Sequence, residues 1–115
     1  MTIWYSVRDL DASRQFYRER LGFTELMFDA TEGWSKLERS GMEIALTTGE
    51  PEQGGVAHIE VDDVKEEAAR LRAEGVEVGV VVELHGEMRL LEVVDPDGNR
   101  VELGQDVSKD VAKDS

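Results

Sequence analysis

Two stretches of this chain follow one plan. Ser6 to Phe23 reads SVRDLDASRQFYRERLGF, and Glu60 to Val78 reads EVDDVKEEAARLRAEGVEV. In each, an apolar strand end leads to an aspartate, then to a helix of about three turns closed by glycine. Asp9 and Asp63 suit N-cap or first-turn positions, where a carboxylate accepts free backbone N–H groups. Phe16, Tyr17 and Leu21, then Val64, Ala68 and Leu71, recur at helical spacing and supply the buried stripes. Gly22 and Gly75 fit the left-handed position just past a helix end.

The copies keep register. Asp9 to Asp63 is an offset of 54, Gly22 to Gly75 of 53, and SGMEIAL aligns with DGNRVEL at 57, from Gly41 to Gly98. A drift this small predicts a duplicated unit. The fold class expected is α+β: two tandem βαβββ modules forming a cupped, mixed, mostly antiparallel sheet with the helices on its outer face. Residues 1–105 form one domain on this reading, with module one at 1–49, a turn-rich linker at 49–55 and module two at 53–105. Residues 106–115, DVSKDVAKDS, read as a flexible tail.

Composition narrows the partners. The chain has 115 residues, 40% of them hydrophobic, enough for one core without crosslinks. It has no cysteine, which removes disulfides, zinc–thiolate sites and a thiol nucleophile. A net charge of −13 repels phosphate backbones and anionic lipid, so neither nucleic acid nor membrane is an expected partner. With no basic-plus-apolar leader and no long apolar run, a cytoplasmic location is expected. The charge itself reads either as a solvated surface or as an acidic cleft for a cation.

Strand alternation sorts the remaining residues by face. Ile3, Tyr5 and Val7 share one face of the first strand, and Ala57, Ile59 and Val61 match them in the repeat. These should pack under the helices. The opposite faces carry Thr2, Trp4 and Ser6, then Val56, His58 and Glu60. On the closing strands Glu43, Ala45 and Thr47, and Arg100 and Glu102, share that side. The expected cavity therefore collects Trp4, Glu43, His58, Glu60, Arg100 and Glu102, with Trp34 as a second aromatic that reads equally as core. DPDG is in itself a strong turn signal. Glu102 is expected to contact Arg100, as a neutralising partner, or water or a ligand, in preference to a tightly bound metal.

The paired units, the V-x-D-[LV] junctions, SRQFYRERLGF and above all DPDGNRVEL resemble the vicinal oxygen chelate superfamily of glyoxalase I, extradiol dioxygenases, and bleomycin and fosfomycin resistance proteins. The resemblance spans residues 1–105. It implies four metal-ligand positions, which fall at Thr2, Ala45, Val56 and Glu102 and should converge on one hollow. Alanine and valine cannot coordinate a metal, and a threonine hydroxyl is a poor ligand. A shifted divalent-metal site built from His58 and Glu102 is the alternative; His58 reads otherwise as a cavity or structural histidine, and His85 as a loop residue. The resemblance also implies a homodimer, sometimes with exchanged modules.

Two functions follow. The first is a metal-independent protein that sequesters a small organic molecule, cationic or aromatic, in the groove, with no cofactor. The second is a metal-dependent lyase, isomerase or dioxygenase of the glyoxalase type, with Glu60 or Glu43 as general base.

Overall fold

The computed structural model describes residues 2–50, 56–84 and 86–107. Module one contains β1 (Thr2–Val7), α1 (Leu10–Gln15), a π-helical turn (Phe16–Arg20), β2 (Thr24–Asp29), β3 (Trp34–Arg39) and β4 (Met42–Thr48). Module two contains β5 (Ala57–Glu60), α2 (Val64–Ala73), β6 (Val82–Leu84), β7 (Met88–Val94) and β8 (Arg100–Asp106). Each forms a four-stranded mixed sheet, β1-β4-β3-β2 and β5-β8-β7-β6. The first and last strands of each module pair in parallel, and the other pairs are antiparallel. This is the α+β fold of two βαβββ modules that the repeat predicts. The expected linker residues Pro51–Gly55, and His85, lie outside the described residues.

Local chemistry sets the helix ends. Asp9 Oδ1 accepts the Ala12 N–H and Asp63 Oδ1 accepts the Glu66 N–H, each at 3.0 Å. After α2 the chain turns at Gly75 (φ +80°), while Gly75 N bonds Arg72 O and Val76 N bonds Leu71 O. That pair of bonds is a Schellman motif, which needs the left-handed residue glycine supplies. The first helix departs from the expected three even turns. Its second half widens into the π turn, with Tyr17 at the centre of an aromatic cluster: Phe16 and Phe23 edge-on, Tyr5 stacked.

Tyr5, Val7, Tyr17, Leu21, Leu37, Ile44 and Leu46 from module one join Ile59, Val64, Leu71, Leu91, Val101 and Leu103 from module two in one buried cluster. The modules therefore share a core, and polar contacts fix how they meet. The Tyr5 hydroxyl donates to Arg100 O (2.5 Å) and accepts from Ala57 N (2.9 Å). The Tyr17 hydroxyl donates to Asp95 Oδ2 (2.9 Å), and Asn99 Nδ2 donates to Ser6 O (3.2 Å). Arg20 pairs with Glu74, Arg70 donates to Arg20 O, and Arg39 pairs with Glu67. Each module thus docks on the helix-bearing face of the other, and the molecule is 56 Å long but only 27 × 23 Å across.

One boundary needs correcting. Of the residues expected to form a tail, Asp106 ends β8 and Val107 is buried, with its N–H bonded to Glu87 O at 2.8 Å, while 108–115 lie outside the described residues.

Candidate functional site

The faces opposite the helices carry the expected site residues, in two groups. On the first sheet Trp4 stands 58% exposed beside Trp34, with ring centroids 6.1 Å apart and planes tilted by 40°. Ala45, at an expected ligand position, lies between Trp4 and Lys36 in register and is only 1% exposed. Glu43 accepts a hydrogen bond from Thr2 Oγ1 (3.3 Å) and pairs with Lys36 Nζ (2.9 Å). The lysine's hydrogen bond is the chief reason the Glu43 carboxyl titrates below its usual range.

On the second sheet His58 stands directly across from Glu102, and His58 Nδ1 lies 2.7 Å from Glu102 Oε1. Both side chains remain open to solvent, at 41% and 39%. This corrects the expected pairing of Glu102 with Arg100. Residues two apart on one strand are roughly 6.6 Å apart, whereas neighbouring strands lie about 4.8 Å apart, so the cross-strand imidazole is nearer. Arg100 turns instead to Glu92, at 3.8 Å. Glu60 is exposed at the end of β5, opposite Gly104, and Val56 is exposed just before that strand.

The two groups do not meet within one chain. Tyr5 points into the contact with module two, so Trp4, its neighbour on β1, points away from it. Among the described residues no hydrogen bond or ion pair joins Trp4, Trp34, Lys36 or Glu43 to His58, Glu60, Arg100 or Glu102. The single hollow expected to gather Thr2, Ala45, Val56 and Glu102 is thus split between two outward faces. The reason is that the modules dock through their helix sides.

These residues do not fit a divalent ion at the implied positions. Ala45 and Val56 bring no donor atom, Thr2 already bonds Glu43, and the Glu102 carboxylate is engaged by His58. Among the described residues, no group of three or more histidine, cysteine, aspartate or glutamate side chains is placed to hold a metal. Sequence reasoning missed Lys36 and Gly104. Lys36 follows from the alternation of Trp34, Lys36 and Glu38 along β3; the part Gly104 plays had no signal until the register of β5 on β8 was known.

The comparisons with known proteins agree with this architecture. Residues 2–103 match the family model of the Glyoxalase/Bleomycin resistance protein/Dioxygenase superfamily, and the chain belongs to that family. No curated protein matches the sequence. Among solved structures, an integron cassette protein from the mobile metagenome of the Halifax Harbour sewage outfall is 25% identical, with a TM-score of 0.81 over 91% of this chain and 96% of that one. TnmS3, an antibiotic binding protein from Streptomyces sp. CB03234, is 26% identical, with a TM-score of 0.74 over 92% and 95%. A bleomycin resistance determinant encoded on transposon Tn5 is 24% identical and shares the fold, with a TM-score of 0.74 over 92% and 96%. Among the described residues no helix is long and apolar enough to cross a membrane.

Proposed function

We propose that this protein is a metal-independent binder that sequesters a small organic molecule carrying a planar aromatic and a cationic part. The observation that carries the reading is the fate of the four ligand positions: three lack a useful donor, and the fourth, Glu102, is hydrogen-bonded to His58. What remains on these faces suits recognition. Trp4 and Trp34 offer a tilted aromatic wall for stacking or cation–π contact, and Glu60, Glu92 and Glu102 make the second face acidic. The 26% identity to an antibiotic binding protein supports the same class.

The groove belongs, on this proposal, to a homodimer. Its halves sit on opposite faces of one chain, so a second copy would bring sheet one of one protomer against sheet two of the other. Exposed Val80, Val82 and Leu84 near one sheet edge, and Leu26, Met27 and Phe28 at the other, supply apolar surface for such a contact. The setting proposed is the cytoplasm, which an acidic, highly charged chain suits.

Tryptophan quenching and calorimetry against a panel of cationic glycopeptides and planar aromatics test the binding, with elemental analysis of protein purified without chelator beside them. Micromolar binding by metal-free protein is expected. Stoichiometric metal that is lost on His58→Ala or Glu102→Ala would instead favour the glyoxalase-type enzyme.

A further inference from the structure

We propose that His58, Glu102 and Gly104 form an anchor selective for hydrogen-bond donors, in which the neutral imidazole offers its Nε2 lone pair to an N–H or O–H of the bound molecule. The inference rests on the groove reading above and deepens it by naming the group the ligand must present.

Three observations carry it. A carboxylate can only accept, so in the neutral ring the nitrogen 2.7 Å from Glu102 Oε1 must bear the proton, and that nitrogen is Nδ1. Nε2 is then left as the acceptor, and among the described residues no group bonds it. Finally, the Cε1–Nε2 edge of the ring lies close over Gly104: a Cβ there would sit 2.5 Å from His58 Cε1, 2.8 Å from Nε2 and 3.2 Å from the Met88 methyl. Any side chain at 104 would have to push the imidazole off the sheet. With its side chain 41% exposed and no bond to Nε2 among the described residues, His58 can meet a ligand donor at that nitrogen with little competition from protein groups. Glu102, by holding the proton on Nδ1, is a positioning residue; His58 makes the contact.

The test reads tautomer and selectivity separately. Nitrogen-detected NMR of the full-length protein, with the ring neutral, is expected to show His58 protonated at Nδ1. Glu102→Ala should return the ring to the Nε2–H form that free histidine prefers, and Gly104→Ala should shift its resonances in a chain whose amide spectrum remains folded. Titration with indole and with 1-methylindole, which lacks the N–H, should give about fivefold to tenfold tighter binding of indole, the worth of one hydrogen bond. That preference should vanish in His58→Phe. An Nε2–H tautomer in the unaltered protein, or equal binding of the two probes, overturns the inference and leaves the groove reading standing. Failure of both probes to move the signals of Trp4 and His58 removes the groove reading and this inference together.

Discussion

Glu102 pairs with His58 because of strand register, which is a property of two strands and not of either alone. Alternation along β8 correctly put Arg100 and Glu102 on one face, since the pleat is local and is written in every second residue. Which residue stands opposite Glu102 depends on how β5 meets a strand some forty positions later in the sequence, and no local pattern states that. The DPDGN turn shows the same limit. Its turn chemistry was legible: Asp95 Oδ1 accepts the N–H groups of Asp97 and Asn99. Its second use was not. Asp95 Oδ2 also receives the Tyr17 hydroxyl, Asp97 Oδ1 the Arg8 N–H and the Ser6 carbonyl the Asn99 amide, so the turn is a latch on module one. Burial, reinforced by Asp95, pushes the Tyr17 hydroxyl well above its ordinary range, keeping it a donor. Tyr17→Phe leaves the ring in place but deprives a buried carboxylate of one donor. A loss of about 1–3 kcal/mol in urea denaturation is expected, with an unchanged slope.

At the scale of elements, caps and closing glycines followed from residue type alone, whereas the π turn did not. An α-helix and a π turn use the same residues; what selects the wider turn here is the packing of Tyr17 among Tyr5, Phe16 and Phe23. Next to it a half-buried device ties α1 to the sheet. Arg14 makes a two-pronged pair with Glu25 at 2.6 and 2.7 Å, Ser35 donates to the same carboxylate at 2.6 Å, and the guanidinium lies 3.4 Å over the Phe28 ring. Arg14 chiefly, with Ser35, lowers the Glu25 carboxyl from its ordinary value of 4.5 to about 2 against the opposing effect of burial. The unfolded chain then binds a proton that the folded chain refuses between these values. This contribution is therefore full above pH 4.5 and is lost as pH falls through about 2. Glu25→Gln should cost about 2 kcal/mol at neutral pH and flatten the rise of stability across that window. Thermal melts of both proteins at several acid pH values check the slope and its sign.

For the whole molecule, the duplication was readable as two matching modules, but their relative placement was not, since a repeat says nothing about which faces meet. Tyr5 decides it: its ring enters the shared core and its hydroxyl touches two backbone groups of module two, which turns Trp4 and its face outward. On the proposed homodimer a complete groove takes two chains, each carrying a net charge of −13. Their repulsion opposes pairing, so added salt should shift a sedimentation equilibrium toward a particle of twice 12.9 kDa. The composite groove makes a sharper prediction. Trp4→Ala and His58→Phe chains, each weak as a homodimer, are mixed, unfolded and refolded together. In the mixed dimer one groove inherits both substitutions and the other neither, so about half of the dimers should regain one groove of native composition. Titration with indole, followed by the His58 signal of the Trp4→Ala chain, should then show a tight-binding fraction that neither parent displays. If each chain built its own groove, every site in the mixture would still lack one residue, and refolding would recover nothing.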